Sequence, residues 1–108
     1  MKIVNLTPHA LTLKGVDGVL VVPPSGEVVR VSQTDTALGV VQVDGVELPL
    51  VAKQFGAVVG LPDAQDGVLF VVSGMVRSAL TGRDDVWAPG PLLRDDAGNV
   101  VGANGLSR

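Results

Sequence analysis

The residues best suited to chemistry in this sequence form two short groups, and the first lies near the amino terminus. It comprises Asn5, Thr7 and His9, which is the only histidine of the chain. A single histidine excludes a metal site built on two histidines, and catalysis would require His9 to meet a nucleophile from elsewhere in the fold. Asn and Thr often hydrogen-bond nearby backbone groups, so Asn5 and Thr7 either contribute to a ligand site or hold a turn, with His9 at the surface.

The second group combines two arginines, a carboxylate and the only tryptophan, namely Arg77, Arg83, Asp85 and Trp87. A guanidinium is a planar fork suited to a carboxylate or a phosphate, and an aromatic ring can stack on a base or on a guanidinium. The group therefore predicts a binding site for a small anionic or nucleotide-like ligand, in which Asp85 orients an arginine. The alternative is an ion-pair network that fixes the end of a helix, with Trp87 in the core.

Motifs that would identify an enzyme are absent. The turn around Ser25 lacks the strand-to-helix context of a hydrolase nucleophile, and no glycine-rich phosphate-binding motif occurs. A hydrolase would have to pair His9 with Ser25, Ser73 or Asp85, and nothing in the sequence places these residues together. We therefore expect a non-enzymatic protein with no catalytic residue, no metal and no cofactor.

The composition is typical of one domain inside a cell. The chain has 108 residues and no cysteine, as is usual in a reducing compartment. It shows no signal-peptide pattern and no apolar run near the ~20 residues that cross a bilayer. A formal charge of −3 with scattered Lys and Arg gives no nucleic-acid footprint. We expect a single domain over residues 1–108, in the cytoplasm, with neither nucleic acid nor membrane as a partner.

The apolar content predicts self-association. Hydrophobic residues make up 46% of the chain, although it contains only three aromatic residues. Valine supplies much of this apolar surface. Because large exposed apolar patches usually mark interfaces, we expect a homo-oligomer.

The pattern of valine-rich runs predicts the fold class. These runs are interrupted every few residues by Gly, Pro, Asp or Asn, which is typical of strands separated by turns. Hairpin turns are predicted at residues 15–18 and at Asp44-Gly45, and a further turn at residues 23–26 predicts a meander into residues 27–32. The continuous apolar run at residues 68–72 predicts a central strand covered on both faces.

One short helix is predicted over residues 73–80, with Ser73 as its cap and Gly82 beyond its end. Strand signals recur at intervals of roughly 8–12 residues without long helices between them. The sequence therefore predicts a mainly β fold, a small barrel or sandwich of short antiparallel strands with one short helix.

Several short fragments occur in a characteristic order along the chain. They are Asn5-Leu6-Thr7-Pro8-His9, Pro24-Ser25-Gly26, Phe55-Gly56 with Gly60-Leu61-Pro62, Val72-Ser73, Arg83 with Asp85-Val86, Pro89-Gly90 and Gly102-x-x-Gly105-Leu106. Over nearly its full length the chain thereby resembles an uncharacterised family of small proteins from phages, prophages and bacteria. The resemblance implies a phage or mobile-element setting, and it transfers no catalytic residue because no mechanism is established for that family.

These observations leave three functions open. The leading hypothesis is a non-enzymatic, phage-associated domain that binds a small anionic or nucleotide-like ligand, or a host protein. Such a ligand would include the cyclic or ADP-ribose-type nucleotides of host immune signalling, which the protein would sequester. The first alternative is a structural or assembly accessory of a phage particle that packs against copies of itself or a larger phage protein. The second alternative is a small hydrolase that uses His9.

Overall fold

A computed structural model describes all 108 residues as ten strands and one short helix. The strands are β1 (Lys2–Asn5), β2 (Leu11–Lys14), β3 (Val19–Val22), β4 (Arg30–Val43), β5 (Val46–Val59), β6 (Val68–Val71), β7 (Val86–Pro89), β8 (Leu92–Arg94), β9 (Val100–Asn104) and β10 (Leu106–Ser107), and the helix is α1 (Gly74–Ser78). They form two four-stranded sheets and one two-stranded ribbon. The mainly β prediction is confirmed.

The first sheet has the strand order β1-β6-β7-β10, and β6 lies in its interior. Strand β6 pairs in parallel with β1 on one side and with β7 on the other. Phe70 and Val71 of this strand are buried, as is Val72 directly after it. Because aliphatic and aromatic side chains fill both faces at this point, the prediction of a covered central strand is confirmed.

The second sheet has the strand order β3-β2-β9-β8 and contains the first predicted hairpin, in which β2 and β3 are antiparallel. The chain passes from this sheet to the first one between β9 and β10, at Gly105, which has a φ of 64°. Leu13, Val22 and Ala103 form an apolar cluster against partly buried residues of the first sheet, including Ile3 and Leu106. The two sheets therefore pack on each other like the layers of a sandwich.

A larger core lies where α1 and the base of the ribbon cover the first sheet. Its buried members are Leu6, Val29, Phe70, Val72, Val76 and Val86. The helix begins after Ser73, whose hydroxyl oxygen accepts a hydrogen bond from the Val76 N–H at 3.3 Å. The helix thus lies where the sequence predicted it, with Val76 as the side chain that it buries.

The two-stranded ribbon is a long hairpin, which we call the arm (residues 30–59). Its strands β4 and β5 each contain 14 residues and pair only with each other. They are joined at Asp44 and Gly45, which have positive φ values of 51° and 80°. Positive φ at both turn residues matches the twist of a two-residue hairpin, and the predicted Asp-Gly turn is confirmed.

Three features of the architecture differ from the sequence-based predictions. The sheets do not close into a barrel. Three strand pairings are parallel, between β1 and β6, β6 and β7, and β2 and β9, where only antiparallel pairs were expected. The predicted meander is also wrong, because residues 23–29 turn back toward the first sheet, where the Val29 N–H donates to the Leu6 carbonyl at 3.1 Å. Parallel pairs join segments that are distant in the chain, so local patterns carry no signal for them.

Candidate functional site

The first predicted group, Asn5, Thr7 and His9, forms a closed hydrogen-bond network at the end of β1. Asn5 is 1% exposed, and its amide nitrogen donates to the carbonyls of His9 at 2.7 Å and Val22 at 3.1 Å. Its amide oxygen accepts from the Thr7 N–H at 2.9 Å and lies 2.7 Å from the Thr7 hydroxyl. Asn5 therefore ties the first sheet to β3 and shapes the turn that follows β1.

His9 contributes its backbone rather than its ring to this network. The carbonyl of His9 accepts from Asn5, whereas the imidazole is exposed and makes no hydrogen bond within the chain. No nucleophilic side chain is hydrogen-bonded to it. The hydrolase alternative gains no support from this geometry, because a general base must reach the proton that it removes.

In the second predicted group, Arg83 and Asp85 form a clamp at the entry to β7. The Arg83 Nε and Nη2 atoms donate to the two carboxylate oxygens of Asp85 at 2.9 and 3.0 Å. Nη2 also donates to the Pro62 carbonyl at 3.0 Å. The clamp therefore joins the entry to β7 to the loop that precedes β6.

The two-pronged hydrogen bond shifts the pKa of both partners away from their ordinary values. The hydrogen bonds from Arg83 lower the pKa of Asp85, and partial desolvation opposes them. The hydrogen bond to Asp85 raises the pKa of Arg83. Both groups stay charged near neutral pH, so the clamp is a fixed ion pair rather than a proton-transfer pair.

Next to the clamp, the only tryptophan carries a guanidinium on its face. The Arg108 Cζ atom lies 4.6 Å from the centre of the Trp87 ring. Arg108 Nη1 donates to the carbonyl oxygen and to the Oδ1 atom of Asp84, both at 3.2 Å. We call residues 83–87 together with Arg108 the arginine–tryptophan corner. A cation on an aromatic face is held by the ring quadrupole and keeps its remaining N–H donors for other partners.

Arg77 lies on α1 and supports the end of the helix. Its Nη1 donates to the carbonyl of Leu80 at 3.3 Å, and its Nε atom is buried without a hydrogen-bond partner. The Trp87 indole N–H is also buried without a partner. Both unpaired groups are donors, so an acceptor would be needed to satisfy them.

The structure brings together parts of both predicted groups. Asn5, Val71 and Trp87 occupy one row across β1, β6 and β7, so their side chains share a face of the first sheet. Asn5 is fully engaged in its own network, however, whereas the arginines of the corner keep unused donors. Of the predicted ligand-binding residues, Arg83, Asp85 and Trp87 follow one another at the start of β7, and Arg77 lies on α1. The residues of the first group hydrogen-bond to one another and to the backbone.

Sequence reasoning missed Arg108 and Arg30. Arg108 is isolated in the sequence, and only the pairing of β10 with β7 brings it to Trp87. Arg30 lines a groove of about 240 Å³ with Thr7, Pro8 and Ser73, near the carboxyl ends of β1 and β6. That edge is where parallel sheets often bind ligands, but no local pattern shows that β1 and β6 are neighbours.

The structure was also searched for a metal site and for a membrane-spanning helix. No three His, Cys, Asp or Glu side chains come together in a way that could hold a metal ion. The chain has no helix of the length and apolarity that crossing a membrane requires. No protein-family model matches the chain, and comparison with curated proteins and with solved structures gave no match.

Proposed function

We propose that the protein is a non-enzymatic, phage-associated binding module that takes a small anionic, nucleotide-like ligand at the arginine–tryptophan corner. The observation that carries the proposal is the Arg108 guanidinium stacked on Trp87. Within the chain, Arg108 uses only Nη1 in hydrogen bonds, so its Nε and Nη2 donors are unused. Two donors of one planar guanidinium match the oxygens of a phosphate.

The surroundings of Arg108 favour such a ligand. Its partner Asp84 has a side chain that is 97% exposed, so this ion pair is open to solvent and weak. Arg83 is positioned more firmly by Asp85, and its Nη1 atom makes no hydrogen bond within the chain. An anion would therefore bind the unused Nε and Nη2 donors of Arg108 while the clamp keeps the neighbouring backbone in place.

The proposal can be tested through the fluorescence of Trp87, the only tryptophan of the chain. Titration with ADP-ribose and with a cyclic dinucleotide should change its emission, because a ligand on Arg108 alters the charge on the indole face. Inorganic phosphate should bind more weakly, since it offers no base or ribose. An emission that stays constant through millimolar concentrations of every probe would contradict the proposal.

Variants of the corner identify the contacts. Arg108→Ala should lower the affinity at least about tenfold, because a charge-assisted hydrogen bond contributes about 1.5–3 kcal/mol. Arg83→Ala should lower the affinity and also the melting temperature, because it breaks the clamp with Asp85. Arg94→Ala is the matched control, since that exposed arginine donates only to the Gly98 carbonyl in the turn between β8 and β9. Equal losses in Arg94→Ala and Arg108→Ala would place the ligand elsewhere.

A second candidate function, an assembly accessory of a phage particle, is favoured by the arm. Ten of the nineteen exposed large hydrophobic residues lie on the arm. A surface of that kind fits a protein that works while packed against other chains. If the protein is an accessory of this kind, it should copurify with assembled particles, and the corner should bind none of the nucleotides above.

A further inference from the structure

The register of the arm separates its outer half into two unlike faces. Cross-strand partners share a face, and successive pairs alternate between faces. The pairs Gly39 with Leu50, Val41 with Leu48 and Val43 with Val46 lie on one side. The pairs Val40 with Pro49 and Gln42 with Glu47 lie on the other side.

The first of these sides is uniformly aliphatic and uncovered. We call it the apolar face; its members are Val41, Val43, Val46, Leu48 and Leu50. Each of them is between 41% and 56% exposed. The opposite side is mixed: it carries the exposed Val40, Pro49 and Val51 together with the hydrogen bond from Gln42 to Glu47. Nearer the base it also carries the Asp35 and Lys53 cross-strand pair. The outer arm is thus half of a two-layer structure, because a sheet with one apolar face needs a second layer to cover it.

The exposed area of the whole chain leaves room for such a layer. A compact monomer of 11.0 kDa exposes about 5,600 Å², whereas this chain exposes 7357 Å². The excess is roughly twice the ~800 Å² that each partner buries in a stable protein interface. The radius of gyration, 17.6 Å, likewise exceeds the ~13 Å of a compact chain of this length.

We propose that the apolar face of the arm is an interface with a second copy of this chain, formed face to face about a two-fold axis. The face carries no charge and no aromatic ring, so it offers no feature that selects a partner of different chemistry. The same face of a second copy matches it in length and in aliphatic character, and a two-fold contact closes on itself. Two such ribbons would pack about 10 Å apart as two layers, with Gln42 and Glu47 left in water. This inference rests on the arm alone and does not depend on a ligand at the corner.

Two adjacent valines on opposite faces provide the test. Val41 lies on the apolar face and Val40 on the other, and both are exposed. Sedimentation equilibrium of the full chain should show a dimer or a multiple of it in the micromolar range. Val41→Asp should weaken association at least about 100-fold, because a two-fold interface would bury two unpaired carboxylates. Val40→Asp should change association less than about threefold.

Folding of the variants can be checked separately, since neither valine belongs to a core cluster. Trp87 emission should be unchanged in both variants, because Trp87 lies in the first sheet and reports the folding of the sandwich. The chain has no cysteine, so Val41→Cys and Val40→Cys each introduce one thiol. Maleimide labelling should slow with rising protein concentration only for Val41→Cys. A monomeric parent protein, or equal effects of the two aspartate substitutions, would overturn the proposal.

Discussion

The sandwich and the arm are built from similar residues, but the sandwich buries them and the arm leaves them exposed. All fourteen buried residues lie in the sandwich, outside residues 30–59, although valine is abundant in both regions. The sandwich can bury its valines because two sheets, the helix and the base of the arm cover one another. The arm has only two strands, and two strands cannot form two layers. The sandwich therefore supplies its own second layer, and the proposed contact with a second copy would supply one for the arm.

The largest contrast should come from the two phenylalanines of the chain, one in each region. Phe70 is 2% exposed in the core, and Phe55 on the arm is 48% exposed. Phe70→Ala should lower the free energy of unfolding by about 3–5 kcal/mol, because it removes a buried ring and leaves a cavity. Phe55→Ala should lower it by less than about 1 kcal/mol. Urea unfolding followed by Trp87 emission measures both values. Similar losses in the two variants would contradict the difference between the two regions.

A smaller effect is expected from the buried amide that joins the two sheets. Asn5→Ala should destabilise the protein by about 2–3 kcal/mol, because the carbonyls of His9 and Val22 lose the amide that donates to them. Asn104→Ala provides the control, since Asn104 is exposed on β9. Thermal melts of the two variants should differ by well over 4 °C. A ligand-binding Asn5 without a structural role would instead leave the melting temperature unchanged.

Removal of the clamp at the corner should lower the free energy of unfolding by about 1–2 kcal/mol, and the size of this effect should depend on pH. Asp85→Asn removes the carboxylate whose pKa is held below its ordinary value of 3.8 by the hydrogen bonds from Arg83. Because the folded-state pKa is the lower one, this stabilisation is complete above about pH 5 and is lost as the pH falls through 3.8 and below.

The acid dependence distinguishes the clamp from the hydrated pair beside it. The parent protein should lose stability in acid more steeply than Asp85→Asn, as followed by chemical denaturation from pH 7 to pH 3. Asp84→Asn should stay within about 0.5 kcal/mol of the parent, because the Asp84 side chain is 97% exposed. Parallel pH profiles for the parent and Asp85→Asn would show that the clamp contributes nothing.

Sequence reasoning succeeded where local chemistry decides the structure. The Asp44-Gly45 turn, the cap at Ser73 and the apolar run of β6 each carry their signal within a few residues. The length of the arm was hidden because Thr34, Asp35, Lys53 and Gln54 interrupt the apolar pattern, although they pair on its strands. Those polar residues can lie within strands because the arm has no layer packed against it in the single chain.

The candidate site was predictable only in part, for a related reason. Arg83, Asp85 and Trp87 are close in sequence, so their proximity could be expected. Arg108 reaches Trp87 only through the pairing of β10 with β7, and Asn5 reaches Val22 only through the packing of the two sheets. Contacts that depend on topology rather than on spacing have no signature in a single sequence.

If the arm pairs with a second copy of the chain, as proposed above, that contact stabilises the arm, whereas the core of the sandwich is complete within one chain. Hydrogen exchange measured at two protein concentrations, one below and one above the dissociation constant of the dimer, separates the two regions. Amides of residues 39–50 should exchange quickly in the dilute sample and become at least about tenfold slower in the concentrated one, while amides of β6 and β7 stay unchanged. Slow exchange of the arm in a sample shown to be monomeric would contradict the account.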